Sequence, residues 1–243
     1  MRERLEQQMT QNLTELSVTL SDRQMEQFYQ YYQLLTEWNR VMNLTAITEL
    51  EEVVTKHFVD SLTLVKAVDR EKLRECRVLD LGTGAGFPGI PLKILFPHMK
   101  VVLLDSLNKR IKFLEEVIHS LNLEEISAVH GRAEDYGRDG DYRERFDLCV
   151  SRAVANLSTL SEYCLPFVKI GGYFVSYKSG KAEEEIRQAK GAWKLLGGKL
   201  EDTVEFSLPG SDMERSLIRV RKVEGTNKKY PRKVGIPGKE PLG

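Results

Sequence analysis

Apolar positions in this chain change their spacing twice. Met25, Phe28, Tyr32 and Leu35, with Trp38 behind them, recur at helical spacing and read as one core-facing stripe. Ser21 and Gln24 form a capping box at its start. A second helix is predicted from about Leu50 to Val68, with Val53, Val54, His57, Phe58, Leu62 and Val65 along one face. Residues 1–16 carry few apolar anchors and read as a polar helix prone to fraying. From Cys76 short apolar runs alternate with helical segments, which predicts a parallel sheet with crossovers. The strands are expected at Val78–Leu81, Lys100–Asp105, Ile126–His130, Phe146–Arg152 and Gly171–Tyr177, with Asn108 as a helix cap after the second. Val204, Phe206 and Leu208 then alternate with polar residues, as do Leu217 to Val223. The linker Pro209–Glu214 is too short for a helical crossover, so this last pair must be antiparallel. The expected architecture is α/β, a mostly parallel sheet with a C-terminal antiparallel hairpin, preceded by a helical cap. Residues 1–75 form that helical extension, 76–224 the α/β domain and 225–243 a tail.

The first strand runs into Gly82-Thr-Gly84-Ala-Gly86-Phe87-Pro88-Gly89. Glycine lacks the Cβ that blocks positive φ and the close approach of a ligand, and Pro88 suits a helix start. A strand, a glycine turn and a helix N-terminus make a cradle for the polar end of a nucleotide-like cofactor. Gly84, Gly86 and Gly89 match the dinucleotide spacing, with Asp105 about 20 residues on. Asp80, Gly82, Gly84 and Gly86 equally match the D-x-G-x-G-x-G turn of S-adenosylmethionine (SAM) methyltransferases. The antiparallel finish of the sheet favours the class I SAM-dependent, Rossmann-like arrangement over the all-parallel dehydrogenase one.

Composition narrows the picture further. The chain has 243 residues, 41% hydrophobic and 30% charged, as expected of a soluble globular protein. No apolar run reaches the ~20 residues of a membrane span, and the first residues lack a signal-peptide core, so the cytoplasm is the expected location. Three cysteines and four histidines lack metal-ligand spacing, and no metal is expected. The net charge is zero but unevenly spread. Residues 1–75 hold nine Lys/Arg against thirteen Asp/Glu, net −4, and residues 225–243 hold five against one, net +4. Any contact with a polyanion is therefore expected to be local.

Ligands of open α/β sheets lie beyond the carboxyl ends of the strands. Here those ends carry Gly82–Phe87, Asp105, Ala133-Glu134 and Arg152. Asp105 suits both hydroxyls of a ribose, and Glu134 an exocyclic amine such as adenine N6. Asp80 is placed either to meet the ammonium of a methionine moiety or to serve as a buried turn acid. Phe87 offers an apolar wall, and Arg152 can pair with a carboxylate or phosphate, or simply with a surface acid. His57, Asp60 and Ser61 share one helix side, where the histidine reads as a packed one.

Seven segments carry a resemblance. They are Glu37–Thr45, His57–Leu62, Asp80–Pro91, Asp105–Arg110, Gly131–Glu134, Ser151–Val154 and Tyr230–Lys233. Together they resemble the ribosomal RNA small-subunit methyltransferase G family, formerly glucose-inhibited division protein B, over nearly the whole chain. The resemblance implies a class I SAM-dependent enzyme that methylates N7 of one guanine in a decoding-region loop of 16S rRNA. It also implies cofactor contacts from Gly82, Phe87, Ala133, Glu134 and Arg152. The partner expected is 16S rRNA or the small ribosomal subunit, with a monomer favoured.

Guanine N7 carries a free lone pair, so its alkylation needs no general base, and no nucleophile–base pair stands out in the chain. The tail cations Lys228, Lys229, Arg232 and Lys233 suit RNA phosphates, and Tyr230 suits an unpaired base. The tail is expected to hold RNA and to have no part in the cofactor site. Three rival readings stand beside this one: a nicotinamide (NAD) oxidoreductase, a methyltransferase acting on a small molecule or protein, and a non-catalytic ribosome-binding factor.

Overall fold

The computed structural model describes residues 1–152 and 154–243. Ala153, inside the Ser151–Val154 segment, lies outside the described residues. Helices α1 (Arg2–Thr14), α2 (Asp22–Met42), α3 (Leu50–Val53), α4 (Asp60–Leu62) and α5 (Arg70–Arg74) precede the sheet. Then come β1 (Arg77–Leu81), α6 (Gly89–Leu95), β2 (Lys100–Asp105), α7 (Asn108–Ser120), β3 (Ile126–His130), α8 (Ala133–Tyr136) and β4 (Phe146–Arg152). The remainder is α9 (Leu157–Cys164), β5 (Val168–Ser179), α10 (Glu183–Leu196), β6 (Gly198–Ser207), β7 (Glu214–Lys222) and α11 (Ile236–Lys239).

The seven strands lie in the order β3-β2-β1-β4-β5-β7-β6. The first five pair in parallel, and β7 pairs antiparallel with both β5 and β6. The strand order reverses beside β1, which opens a crevice at the carboxyl ends of β1 and β4.

Parallel strands covered on both faces must be apolar on both. Along β1 the side chains alternate accordingly, Val78 packing into one core and Leu79 and Leu81 into the other. The first core joins Val78, Leu103 and Val150 to Leu92 of α6, Leu114 of α7 and the N-terminal helices. The second joins Leu79, Leu104 and Cys149 to Leu160 of α9, Trp193 of α10 and Tyr230.

Three expectations need correction. The helix α1 is not loosely held, because Leu5, Met9 and Leu13 are at most 1% exposed and Gln8 donates to Thr55 Oγ1 at 2.9 Å. The segment 50–68 is not one α-helix: α3 passes into a wide π-turn at Val54–Val59, then α4, then a 3₁₀ turn at Thr63–Lys66. Asn108 does not cap α7; the N-cap position is Leu107, whose N–H donates to Asp105 Oδ1 at 2.9 Å. The C-terminal tail packs on the α/β domain, with Thr226, Tyr230 and Pro231 buried. Arg143 holds it by donating to the Tyr230 carbonyl at 2.8 Å and the Thr226 carbonyl at 2.6 Å.

The capping box of Ser21 and Gln24 forms as expected and starts α2. Gln24 also donates to the Ile94 carbonyl at 2.7 Å, which ties the cap to the end of α6.

Candidate active site

The glycine turn hangs from the second strand. Gly82 N–H donates to the Leu104 carbonyl at 2.8 Å, and Gly84 N–H to Asp105 Oδ2 at 2.9 Å. Gly84 has φ +63°, and a Cβ built there meets no atom of the described residues within 4 Å, so its side-chain face is open toward them. At Gly86, φ +97°, the same atom would strike Ile90 and the Tyr31 hydroxyl at 2.5 and 2.6 Å. One glycine leaves room for a ligand and the other for the protein itself.

Asp80 is tied into the turn itself, through one oxygen only; among the described residues its buried Oδ1 has no partner. It is fully buried, and its Oδ2 accepts from Thr83 Oγ1 at 2.6 Å and Gly89 N at 2.7 Å. Burial raises its pKa to about 6, against those two hydrogen bonds, which lower it. Of the two roles open to it, this geometry favours the turn acid over an ammonium contact.

A cavity of about 810 Å³ opens above the turn, in the usual size range for ligand sites. Gly82, Gly84, Phe87, Asp105, Ala133, Glu134 and Arg152 all line it, whereas Gly86 supports the turn from behind. Asp105 is 3% exposed and pairs with Arg110 Nη1 at 3.0 Å. Its carboxylate therefore latches the turn as well as bordering the cavity. Glu134 is 6% exposed and accepts from Gly235 N at 3.0 Å.

Arg152 is not a free surface cation. Its Nη1 donates to Asp60 Oδ2 at 2.7 Å and to the Lys56 carbonyl at 3.1 Å, with the guanidinium 5.3 Å from the Phe87 ring centroid. Arg215 Nε reaches the other oxygen of Asp60 at 2.8 Å. His57 stacks on Phe87 with centroids 4.5 Å apart. Burial first, then the charge of Arg152, lowers its pKa to about 3, so the ring is neutral. Tyr31 stacks on Phe87 from α2 and donates to the Ala85 carbonyl inside the turn.

Sequence reasoning gave no site role to Tyr31, Asp60 or Arg215. Their partners lie 54, 92 and 155 residues away in the chain. A weak signal existed only for Asp60, which shares a helix side with His57. The far wall of the cavity is Lys178, held by Glu185 at 2.7 Å and the Ala155 carbonyl at 3.0 Å.

The tail cations divide. Lys228, Lys229 and Lys233 are exposed. Arg232 is instead spent on Glu162, a fully buried acid of α9, with Nη2–Oε2 at 2.7 Å and Nε–Oε1 at 3.0 Å. Its guanidinium points into the protein, so its expected role as an RNA contact is withdrawn. Among the described residues, no group of three or more His, Cys, Asp or Glu is arranged to hold a metal ion. No helix among them is long and apolar enough to cross a membrane.

A cofactor with an adenosine and a short charged chain fits this cavity. The open face at Gly84 leaves space over the turn, and acids stand at the ends of β2 and in α8.

Comparison with known proteins gives the same direction. The chain matches "Ribosomal RNA small subunit methyltransferase G" of Lachnoclostridium phytofermentans at 58% identity, over 96% of this chain and 95% of that protein. It matches the protein of the same name from Acetivibrio thermocellus at 53% identity, over 93% and 91%. Among solved structures, the [4+2]-cyclase SpnF superposes with a TM-score of 0.57 at 15% identity, over 86% of this chain and 98% of that one. That likeness speaks for the fold alone. The family profile described as rRNA small subunit methyltransferase G matches residues 24–218. The chain belongs to the rRNA small subunit methyltransferase G family.

Proposed function

We propose that this chain is a SAM-dependent methyltransferase that methylates N7 of a guanine in the decoding-region loop of 16S ribosomal RNA. The observation that carries this reading is a single cavity bordered by the open face of the glycine turn, two acids and Arg152, in a member of this family. SAM supplies an electrophilic methyl group when bound. The chain's own residues supply position. Glu134 and Asp105 suit the adenine amine and the ribose hydroxyls, and the turn at Gly82–Gly86 leaves room for the methionine end. Arg152 and Phe87, braced by Asp60, Tyr31 and His57, form the wall nearest the incoming base.

Because guanine N7 already presents a lone pair, the reaction needs alignment and exclusion of water rather than a general base. Alignment of this kind can lower a barrier by roughly 7–11 kcal/mol. A neutral His57 with a pKa of about 3 is a poor base at physiological pH, in keeping with such chemistry. The methylated base is cationic, so acceptors near it would help.

In this reading residues 1–75 are a helical extension that walls the cofactor site, 76–224 the methyltransferase domain and 225–243 a basic tail. Lys228, Lys229 and Lys233 are the tail cations available to RNA phosphates. The partner is the small ribosomal subunit or its RNA, the location the cytoplasm, and the working form a monomer. Incubation with methyl-labelled SAM and 16S rRNA, followed by mapping of the label, tests the reading. Label at N7 of one guanine supports it; label on protein or small molecules only overturns it.

A further inference from the structure

Glu134 stands on α8, a helix of four residues, and so short an element fixes little by itself. Its carboxylate is nonetheless held from outside. Oε1 accepts the backbone N–H of Gly235, while among the described residues no group donates to Oε2, on a side chain that lines the cavity. Gly235 has φ +83°, a left-handed conformation that suits glycine and turns its N–H toward α8.

The segment that delivers this N–H is fastened on both sides. Before it, Arg138 Nε donates to the Pro231 carbonyl at 2.9 Å, and the Pro231 ring packs against Gly137, directly after α8. Arg232 then grips Glu162 with its guanidinium and its backbone N–H, the latter at 2.7 Å. After it, Thr159 Oγ1 of α9 donates to the Pro237 carbonyl at 3.0 Å.

Glu162 is the telling residue. It is a fully buried carboxylate, and among the described residues all its hydrogen bonds come from Arg232. A buried acid is costly without its partner. The acid in α9 is therefore matched to the tail and not to solvent or RNA.

We propose that residues Arg232–Gly235 are a positioning strap of the cofactor site. The Gly235 N–H engages one oxygen of Glu134 and thereby presents the other to the cofactor's adenine amine. This rests on the cofactor reading above and replaces the expectation that the tail is separate from that site.

The test uses full-length protein and two ligands, S-adenosylhomocysteine and S-inosylhomocysteine, which lacks the exocyclic amine. Arg232→Ala should weaken S-adenosylhomocysteine binding about tenfold, the worth of one charge-assisted hydrogen bond. It should also shrink the preference over the inosine analogue, because a group that no longer points at the amine cannot discriminate. The paired change Glu162→Met with Arg232→Met removes the strap without stranding a buried charge, and should behave the same way if Arg232→Ala fails to fold. In a Glu134→Ala background, loosening the strap should have no further effect on affinity, whereas a general loss of structure would add. Variants that bind both ligands as the wild type does, or that lose affinity additively with Glu134→Ala, overturn the strap. Failure of the wild type to bind S-adenosylhomocysteine would instead overturn the cofactor reading.

Discussion

The Asp60 carboxylate lies 2.7 Å from the Arg152 guanidinium and joins the N-terminal helices to the end of β4. Its second oxygen holds Arg215 at the start of β7. The Asp60 side chain is 5% exposed, and those of the arginines 15% and 17%. Asp60→Ala would leave two largely desolvated cations without their carboxylate, which costs about 3–5 kcal/mol for a buried pair. Urea unfolding measures this directly. A loss below about 1 kcal/mol would mean that solvent already serves both arginines.

Gly84→Val tests the turn. The position has φ +63°, so a side chain costs about 1–2 kcal/mol in backbone strain, while its Cβ meets no atom of the described residues within 4 Å. The variant should keep its cooperative unfolding transition at a lower Tm, yet lose S-adenosylhomocysteine binding by two orders of magnitude or more. Normal affinity in that variant would show that the open face at Gly84 is not ligand space.

Tyr31→Phe removes the hydroxyl that satisfies the Ala85 carbonyl. A buried acceptor left without a donor costs about 1–3 kcal/mol. Because that carbonyl sits in the glycine turn, cofactor affinity should fall together with stability. Calorimetric titration beside thermal unfolding separates the two readouts, and an unchanged affinity would confine Tyr31 to packing.

Asp80 gives a pH signature. Its pKa is about 6 in the folded protein against the ordinary 3.8, chiefly from burial. Between those values the folded state binds the proton more tightly, so this group's contribution falls as pH rises from about 4 to about 6, by roughly 3 kcal/mol in all. Asp80→Asn should flatten the stability profile in that window, read as the difference from wild type at pH 4.5 and 7.5. Equal slopes in the two proteins would refute the shift.

His57 acts in the opposite sense. With a folded pKa of about 3 against 6.5 unfolded, it favours folding above pH 6.5, and that contribution is lost as pH falls toward 3. Nitrogen chemical shifts of its ring should stay those of a neutral imidazole from pH 5 to 8. A titration midpoint near 6.5 would contradict its burial against Phe87.

The sheet was legible because its strands are buried on both faces and so nearly continuous in apolar residues, as at Leu79 and Val150. The antiparallel finish was legible from the short link before Glu214. Candidate site residues at strand ends were readable too, since strand polarity alone sends Asp105 and Arg152 to one side of the sheet. Partnerships were not. Asp60 with Arg215, Arg232 with Glu162 and Gly235 with Glu134 span 155, 70 and 101 residues, and no local periodicity encodes such pairs. Composition also misled at the tail, where counting charges missed Tyr230 and Pro231, the apolar residues that pin it down.

The wide turn at Val54–Val59 carries a lesson about spacing. An α-helix advances 100° per residue, so a single residue more or less reorients everything on one side of it. Deleting Val59 from this turn would restore ordinary helical spacing while keeping Lys56, His57 and Asp60 themselves. It would nevertheless swing Lys56 and His57 about a quarter-turn out of line with Asp60. This wall of the cavity thus depends on a count of residues as much as on their identity.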